Sequence, residues 1–381
     1  MREKGVKQKN VAHHNNKLVA NLLVNEPLSC IELSRKTKLT HVATGIIVDR
    51  LLNMNLIRLH TDPPKKRTQG RQHVRYEINP HRAYYICISF KPFKNSFTIY
   101  DLMGRVVYSE GLPDDKIDDI AIDRLEVKIR SALKWNDIDI SEIAVASIAV
   151  PGRVDPNSGR VVVSSKIDQE FNVKEKFREV FPLAVIDVKN DIDYACLGSI
   201  LSEEFDYAKG SHLYLCAEEG GTACCVVYNK EIVCGANGFG GEIGMARLDR
   251  NEDRLYDIIP IGTMTARCRR ILGDDHIDID AAIALSQENP AIREEFVKTA
   301  RTLGTLLSNF VAVLGCSHIV FAGSIAKYPE FFFDEFKLGL FDPNYSDRIN
   351  YQIDVSMADA TGVGQSLLSR LRSLDWVMEQ Y

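Results

Sequence analysis

The sequence predicts an N-terminal module of three helices and a β-hairpin, followed by a larger α/β body with two lobes. Two short helices with clear start signals lie between residues 27 and 55. Two short strands follow them, joined by a polar loop that contains proline and glycine. After Pro80, buried-strand patterns alternate with helical patterns, and a strand meander followed by β–α units occurs twice.

The helices of the N-terminal module begin at recognisable capping residues. Ser29 is followed three residues later by Glu32, which is the spacing of a capping box and predicts that a helix starts at the next residue. Thr40 predicts the start of another helix, and Asn55 stands just past its end, where left-handed backbone is common. A first helix is predicted over residues 15–24.

Two short helices joined by a tight turn, behind a first helix, are typical of a helix-turn-helix. Strands predicted at residues 57–60 and 74–78 flank the loop TDPPKKRTQGRQ, which is basic and contains nothing that could be buried. Together these elements predict a winged helix-turn-helix. For residues 27–55 alone, a small helical bundle that packs on another part of the chain is the alternative.

The charge distribution supports contact with nucleic acid. Residues 1–82 contain 16 Lys and Arg against 6 Asp and Glu, whereas the whole chain carries a net charge of −5. A basic module on an acidic body is typical of proteins that bind phosphates. The sequence therefore favours double-stranded DNA as a partner.

The candidate DNA contacts lie on the third helix and among the basic residues around it. Few of the outward-facing helix positions are polar, which leaves thymine methyl contacts through Val42 or Ile46 and phosphate contacts from the basic residues. Gly45 inside the helix costs about 1 kcal/mol relative to alanine, which suggests a close approach to DNA. The alternative is that Thr40 and His41 only cap the helix. The candidates are Lys36, Lys38, Thr40, His41, Val42, Gly45, Ile46, Arg50, Arg67, Gly70 and Arg71.

The composition limits the classes of protein to which the chain can belong. A chain of 381 residues that is 45% hydrophobic and 26% charged fits two or three globular domains. No apolar run is long enough to cross a membrane and the N-terminus has no signal-peptide core, so we expect a soluble cytoplasmic protein. The nine cysteines are scattered and never spaced as CxxC, which predicts reduced thiols rather than disulfides or a zinc site.

The expected domain boundaries follow from the change of pattern at Pro80. They are residues 1–80 for the winged module, 81–195 for the first lobe and 196–360 for the second, with a C-terminal helix at 361–381 that joins the first lobe. Helices are predicted at 120–135, 195–204, 261–272, 279–286 and 292–314, and strands at 83–90, 95–102, 105–111, 142–150, 183–191, 212–220, 222–235 and 318–325.

Four motifs carry a resemblance to a known family. They are IAVPGRVDPNSGRV at 148–161, VKNDIDYACLG at 188–198, CGANGFGGEIG at 234–244 and VFAGSI at 320–325. In this order and spacing the chain resembles the ROK family of sugar-responsive repressors and sugar kinases. The resemblance extends from about residue 15 and implies an actin-like, ribonuclease-H-like body. The Gly70-Arg71 pair ahead of that body resembles the wing of the repressor branch.

The phosphate loops of the family's kinases are altered here. The resemblance places the first loop at Ser89 and residues 91–93, where proline removes an amide donor and phenylalanine fills the turn. It places the second loop at residues 218–225, where Glu218 and Glu219 would repel phosphate and Cys224 and Cys225 add side chains. Phosphoryl transfer depends on positioning and charge neutralisation, so we expect no catalytic residues and no enzyme activity.

The sugar-binding residues of the family are better preserved. The resemblance implies that Asn172, Asn190, Asp191 and Glu242 bind the hydroxyls of a sugar or sugar phosphate between the lobes. Carboxylates and amides suit this because each can pair with neighbouring hydroxyls. The alternative is that Asp191 caps a helix and Glu242 is a surface turn residue.

The family's zinc site does not match. Met245 stands where the family has a histidine, and Cys268 is alone in the segment that should supply cysteines. One cysteine without histidine cannot form a tetrahedral zinc site, so we expect no metal and no other cofactor. This departure leaves the identity of the ligand open.

These observations predict a ROK-type transcriptional regulator, a repressor, that binds a double-stranded operator as a homodimer or homotetramer. Closure of the lobes on the ligand would change the separation of two DNA-binding modules. One alternative is a ROK sugar kinase with an appended DNA-binding domain. Another is a ROK regulator that has lost its sugar effector.

Overall fold

In the computed structural model of the protein, contacts divide the described residues into two units. Unit 1 comprises residues 1–151, 159–189 and 365–381, and unit 2 comprises residues 152–158 and 190–364. The described residues are 8–61, 74–91, 94–114, 116–156, 158–164, 166–168, 171–203, 205, 207, 210–218, 221–235, 238–247, 249, 254–340, 352–356 and 360–380.

The N-terminal part of unit 1, which we call the head, has the predicted winged helix-turn-helix elements. Its helices are α1 (Gln8–Asn25), α2 (Cys30–Thr37) and α3 (His41–Asn53), and its strands are β1 (Leu28–Ser29), β2 (Ile57–Leu59) and β3 (Arg75–Ile78). The strands form a sheet in the order β1-β3-β2.

The predicted capping residues of the head are confirmed. The Ser29 hydroxyl accepts a hydrogen bond from the Glu32 amide at 3.3 Å, and the Glu32 carboxylate accepts one from the Ser29 amide at 2.8 Å. Thr40 Oγ1 accepts from the Ala43 amide at 3.2 Å. Asn55 has the expected positive φ of 56° after α3. The first helix begins at Gln8, earlier than predicted.

The body of unit 1 contains a five-stranded sheet in the order β10-β7-β4-β5-β6. β4, β5 and β6 form the predicted antiparallel meander, whereas β7 lies parallel to β4. Every residue of β7 is buried, as expected for a central strand of a parallel pair. The elements are β4 (Tyr84–Lys91), β5 (Lys94–Asp101), β6 (Val106–Leu112), α4 (Asp119–Trp135), β7 (Ile143–Val150), β9 (Val161–Val163), α5 (Val173–Val180) and β10 (Val185–Asn190). The short strand β8 (Arg153–Val154) belongs to unit 2.

Unit 2 repeats this sheet topology. Its sheet has the order β13-β12-β11-β14-β15, with an antiparallel meander and two parallel strands in the same places. The elements are α6 (Asp191–Leu201), β11 (Ser211–Glu218), β12 (Gly221–Tyr228), β13 (Glu231–Ile232), α7 (Leu255–Ile258), α8 (Ile261–Leu272), α9 (Ile279–Leu285), α10 (Pro290–Leu314), β14 (Cys316–Gly323), α11 (Glu330–Leu340), β15 (Gln352–Ser356) and α12 (Ala360–Glu379). α12 begins in unit 2 and continues in unit 1 from Gln365.

Alternate residues of the central strands of unit 2 face opposite sides of its sheet. Leu213 and Leu215 of β11 pack with residues of α8, α10 and α11, whereas Tyr214 and Cys216 pack with α6. The sheet is therefore covered on both faces. None of the helices in the described part of the chain is long and apolar enough to cross a membrane.

The head shares its hydrophobic core with the body of unit 1. Val19 and Leu23 of α1 are fully buried in one cluster with Tyr85 of β4 and Leu374 of α12. Lys17 of α1 also pairs with Asp375 at 2.6 Å. The head is therefore packed onto the sheet and the C-terminal helix of unit 1.

A close contact between α10 and α11 gives a stability prediction. A Cβ added at Gly304 would lie 2.3 Å from the carbonyl oxygen of Phe336, which is backbone and cannot rotate away. Gly304→Ala should therefore lower the free energy of unfolding by about 1–3 kcal/mol. The control is Gly362→Ala on α12, where an added Cβ meets nothing within 4 Å. Urea denaturation of both variants checks this, and an equal midpoint for both would contradict the close packing.

Candidate functional site

The exposed face of α3 is the candidate DNA-binding surface. Val42 is 73% exposed and Ile46 is 56% exposed, although both are large apolar residues. On the opposite side of the helix, Ile47 and Leu51 are buried in the core of the head. A Cβ added at Gly45 would meet nothing within 4 Å, so this side of α3 is open.

The polar candidates at the start of α3 have local roles. Thr40 caps the helix through its hydroxyl, as the alternative interpretation expected, and its side chain is exposed. His41, in the first turn, is exposed as well. Capping uses the Thr40 oxygen as an acceptor and leaves its O–H as a donor.

The basic candidates around α3 are exposed. Lys38 adopts a φ of 59° in the turn between α2 and α3, and Arg50 lies in the last turn of α3. Lys36 pairs with Glu26 at 2.8 Å, so contact with a phosphate requires it to leave this partner. Arg67, Gly70 and Arg71 lie outside the described residues.

Two carboxylates of the head, those of Glu32 and Glu77, are bonded to neighbouring groups. The pKa of Glu32 is lowered, first by the Ser29 amide and hydroxyl and also by Arg75, which lies 3.1 Å away. Partial burial acts to raise the pKa of Glu77, but hydrogen bonds from His60 and Arg58 outweigh it and the pKa is lowered. Glu77 thereby joins β2 to β3, and Glu32 joins α2 to β3.

The candidate ligand site in unit 2 is centred on the start of α6. Asn190 caps this helix, because its Oδ1 accepts a hydrogen bond from the Ile192 amide at 2.8 Å. Its Nδ2 donates to the carbonyl oxygen of Gly152. Asp191 follows in the first turn and is half-buried. The capping residue is therefore Asn190 rather than Asp191, and the helix begins before the predicted residue 195 because of this cap.

Glu242 lies in a glycine-rich loop and is bound by an arginine. The Arg153 guanidinium forms an ion pair with the Glu242 carboxylate and stacks 4.3 Å from the centre of the Phe239 ring. The side chains of Arg153 and Glu242 are 20% and 39% exposed. Sequence reasoning missed Arg153. The available signal was a charged residue directly after Pro-Gly at the end of a buried strand.

Asn172 belongs to unit 1. It caps α5, and its Oδ1 accepts from the Glu175 amide at 3.2 Å. The structure thus brings Asn190, Asp191 and Glu242 into one unit together with Arg153, and it places Asn172 in the other.

The end of β11 carries an acidic group at the position where the resemblance places the second phosphate loop of the kinases. Glu218 accepts a hydrogen bond from Ser324 Oγ at 2.6 Å, just beyond the end of the parallel strand β14. Cys224 and Cys225 lie within β12, in agreement with the strand predicted at 222–235, and both thiols are buried. They therefore do not line the loop in which the resemblance placed them. Burial raises the pKa of Cys224. Of the first loop, Ser89 and Lys91 belong to β4, and residues 92–93 lie outside the described residues.

The residues near Glu242 do not fit a zinc ion. Met245 is exposed, whereas Cys268 is buried in the core of unit 2 on α8. Within the described ranges, no group of three or more His, Cys, Asp or Glu side chains could hold a metal.

Sequence comparisons place these features in a family. The sequence pattern of the ROK family matches residues 85–338. The DNA-binding transcriptional dual regulator NagC of Escherichia coli K12 is 23% identical over 60% of this chain and 56% of its own length. The xylose repressor of Bacillus spizizenii is 25% identical over 61% of this chain and 60% of its own length. The matched stretch thus spans less than two thirds of these relatives.

Solved structures support the same assignment of fold. A ROK family transcriptional regulator, described as a homolog of the E. coli MLC protein, matches 97% of this chain and 98% of its own, with a TM-score of 0.76 and 18% identity. A ROK hexokinase from Thermus thermophilus matches 74% of this chain and 97% of its own, with a TM-score of 0.60 and 18% identity. The predicted winged helix-turn-helix and actin-like body are confirmed. Because the family pattern covers more than half of its length, the chain belongs to the ROK family.

Proposed function

We propose that the chain is a transcriptional regulator, of the repressor type, that binds double-stranded DNA through its head. The observation that carries the proposal is the exposed apolar face of α3, with Val42 and Ile46, on a basic module. On a helix that lies in the major groove, exposed apolar side chains can pack against the methyl groups of thymine. One of the two relatives is named a repressor and the other a DNA-binding transcriptional regulator, and these names support the proposal together with the likeness to a ROK regulator.

On DNA, α3 lies in the major groove and the surrounding basic residues contact phosphates. Arg71, in the wing predicted from the sequence, enters or flanks the minor groove. The proposed base-edge contacts are Thr40, His41, Val42, Gly45 and Ile46, and the proposed backbone and wing contacts are Lys36, Lys38, Arg50, Arg67, Gly70 and Arg71.

We propose that the body senses a sugar or sugar phosphate through Asn172, Asn190, Asp191 and Glu242. Two heads in a homodimer or homotetramer would bind two half-sites, and a change of their separation on ligand binding would alter the fit.

In vitro selection with full-length protein from a random duplex library tests DNA binding. We expect one enriched sequence, bound at least about a thousand-fold more tightly than the unselected library at moderate salt. Recovery of no common sequence, with equal affinity for selected and unselected DNA, would contradict the proposal.

Sugar kinase activity is the rival function, since ROK kinases have the same fold as the body. The Glu218 carboxylate at the end of β11 weighs against it, because it would repel a nucleotide phosphate there. We expect no sugar-dependent release of ADP from ATP by the purified protein. Saturable release that Asp191→Asn abolishes would contradict this expectation and establish a kinase.

A further inference from the structure

We propose that Arg153 makes the ligand site selective for acidic sugars, in which a carboxylate or phosphate accompanies the hydroxyls. This inference rests on the proposed ligand-sensing function and narrows its ligand class. The shared chemistry is an anionic group beside a sugar ring.

The backbone on either side of Arg153 is fixed by contacts with two other segments of unit 2. Residues 152–158 belong to unit 2, although the chain on either side of them belongs to unit 1. A Cβ added at Gly238 would lie only 2.3 Å from the carbonyl oxygen of Val154, so the two backbones touch. Asn190 also donates to the carbonyl of Gly152. The segment that carries Arg153 is therefore fixed against the loop of Glu242 and the start of α6.

The guanidinium itself is oriented on two sides. Its face stacks on Phe239, with 4.3 Å between the guanidinium carbon and the ring centre, and one edge pairs with Glu242. Arginine has five N–H donors in a planar fork, and a single carboxylate engages at most two of them. The remaining donors can bind a second anion. The Arg153 side chain is only 20% exposed, so most of it has already lost its contact with water.

This arrangement disfavours a neutral sugar. The hydroxyls of any sugar can donate to the free positions of Glu242, but a neutral sugar offers the remaining donors of Arg153 only hydroxyl oxygens. An acidic sugar offers these donors a carboxylate or phosphate, which pairs with a guanidinium more strongly than a hydroxyl does. Charge-assisted bonds of this kind are about twice as strong as neutral ones. Arg153 thus sets the charge of the ligand.

Isothermal titration of full-length protein tests the proposal with matched ligand sets. The probes are glucose, galactose, mannose and N-acetylglucosamine, each compared with its 6-phosphate and, for the three hexoses, its uronic acid. We expect at least one acidic form to bind at least about ten-fold more tightly than its neutral parent. The uronic acid and phosphate arms distinguish the two sources of the anion.

Three variants define the role of Arg153. Arg153→Ala should remove the preference for the acid, and Arg153→Lys should retain part of it, because it keeps the charge and loses the fork. Arg293→Ala is the matched control, since Arg293 also stacks on a phenylalanine in unit 2, 3.9 Å from the centre of the Phe331 ring. It should bind like the unaltered protein, and thermal unfolding confirms that each variant is folded.

The proposal is overturned if neutral parents bind as tightly as their acids, if the preference persists in Arg153→Ala, or if none of the probes binds. The proposed DNA binding is tested independently, because it is measured on the selected duplex without ligand.

Discussion

Val42→Glu should abolish the preference of the protein for its selected DNA sequence. Val42 is 73% exposed in the first turn of α3, so the change leaves the core of the head intact. On DNA, a carboxylate at this position faces base edges that carry acceptors and lies in the negative potential of the phosphates. We expect affinity for the selected duplex to fall by roughly 30-fold or more, or about 2 kcal/mol.

Fluorescence anisotropy with labelled duplex measures this effect. Val127→Glu is the matched control, because Val127 is 66% exposed on α4 of the same unit. The control should retain affinity within about two-fold, as expected for a change remote from DNA. Equal affinities of the Val42→Glu and unaltered proteins would show that α3 does not face the DNA.

Leu374→Ala should destabilise unit 1, the head included. Leu374 is fully buried on α12 in the cluster that contains Val19 and Leu23 of α1 and Tyr85 of β4. Its truncation leaves a cavity where three elements meet, and a cavity of this kind costs about 2–5 kcal/mol. Urea denaturation followed by circular dichroism gives the loss of unfolding free energy.

The control for this change is Leu338→Ala on α11, where the leucine is 67% exposed. The control should change stability by less than about 1 kcal/mol, because little buried surface is lost. If both variants unfold at the same urea concentration, the head does not share a core with the body.

The sequence predicted most accurately the elements whose ends are marked by local chemistry. Ser29, Glu32 and Thr40 cap α2 and α3 as expected, because a capping hydrogen bond spans only three residues. The long apolar run of β7 was equally clear. Such signals lie entirely within one segment of the chain.

Other elements were missed because their stability comes from packing. No helix was predicted at 173–180 or 330–340. α11 is rich in phenylalanine, which has a low helix propensity, and it is stabilised by burial of Phe332 and Phe336 against the core of unit 2. From the sequence, the repeated sheet topology could be recognised only in the order of strands and helices. The residues themselves do not repeat, because the two halves fill the same positions with different side chains.

The residues of the candidate site could be predicted from the sequence, but the contacts between them could not. The motifs located Asn190 and Glu242, but not the bond from Asn190 to Gly152 or the pair of Glu242 with Arg153, which involve residues far away in sequence. Asn172 and Asn190 each cap a helix, which is a local role that the resemblance did not reveal. An ion pair between distant segments depends on the fold and has no periodic pattern.

The salt dependence of DNA binding by a Lys38 variant tests the central claim most directly. Lys38→Asn removes the charge and keeps the positive φ of 59°, which asparagine tolerates. On the selected duplex, we expect the slope of log affinity against log salt to become shallower by about one unit. Lys298→Ala, an exposed lysine on α10, should leave the slope unchanged. Identical slopes for the Lys38→Asn, Lys298→Ala and unaltered proteins would contradict phosphate contact by the head.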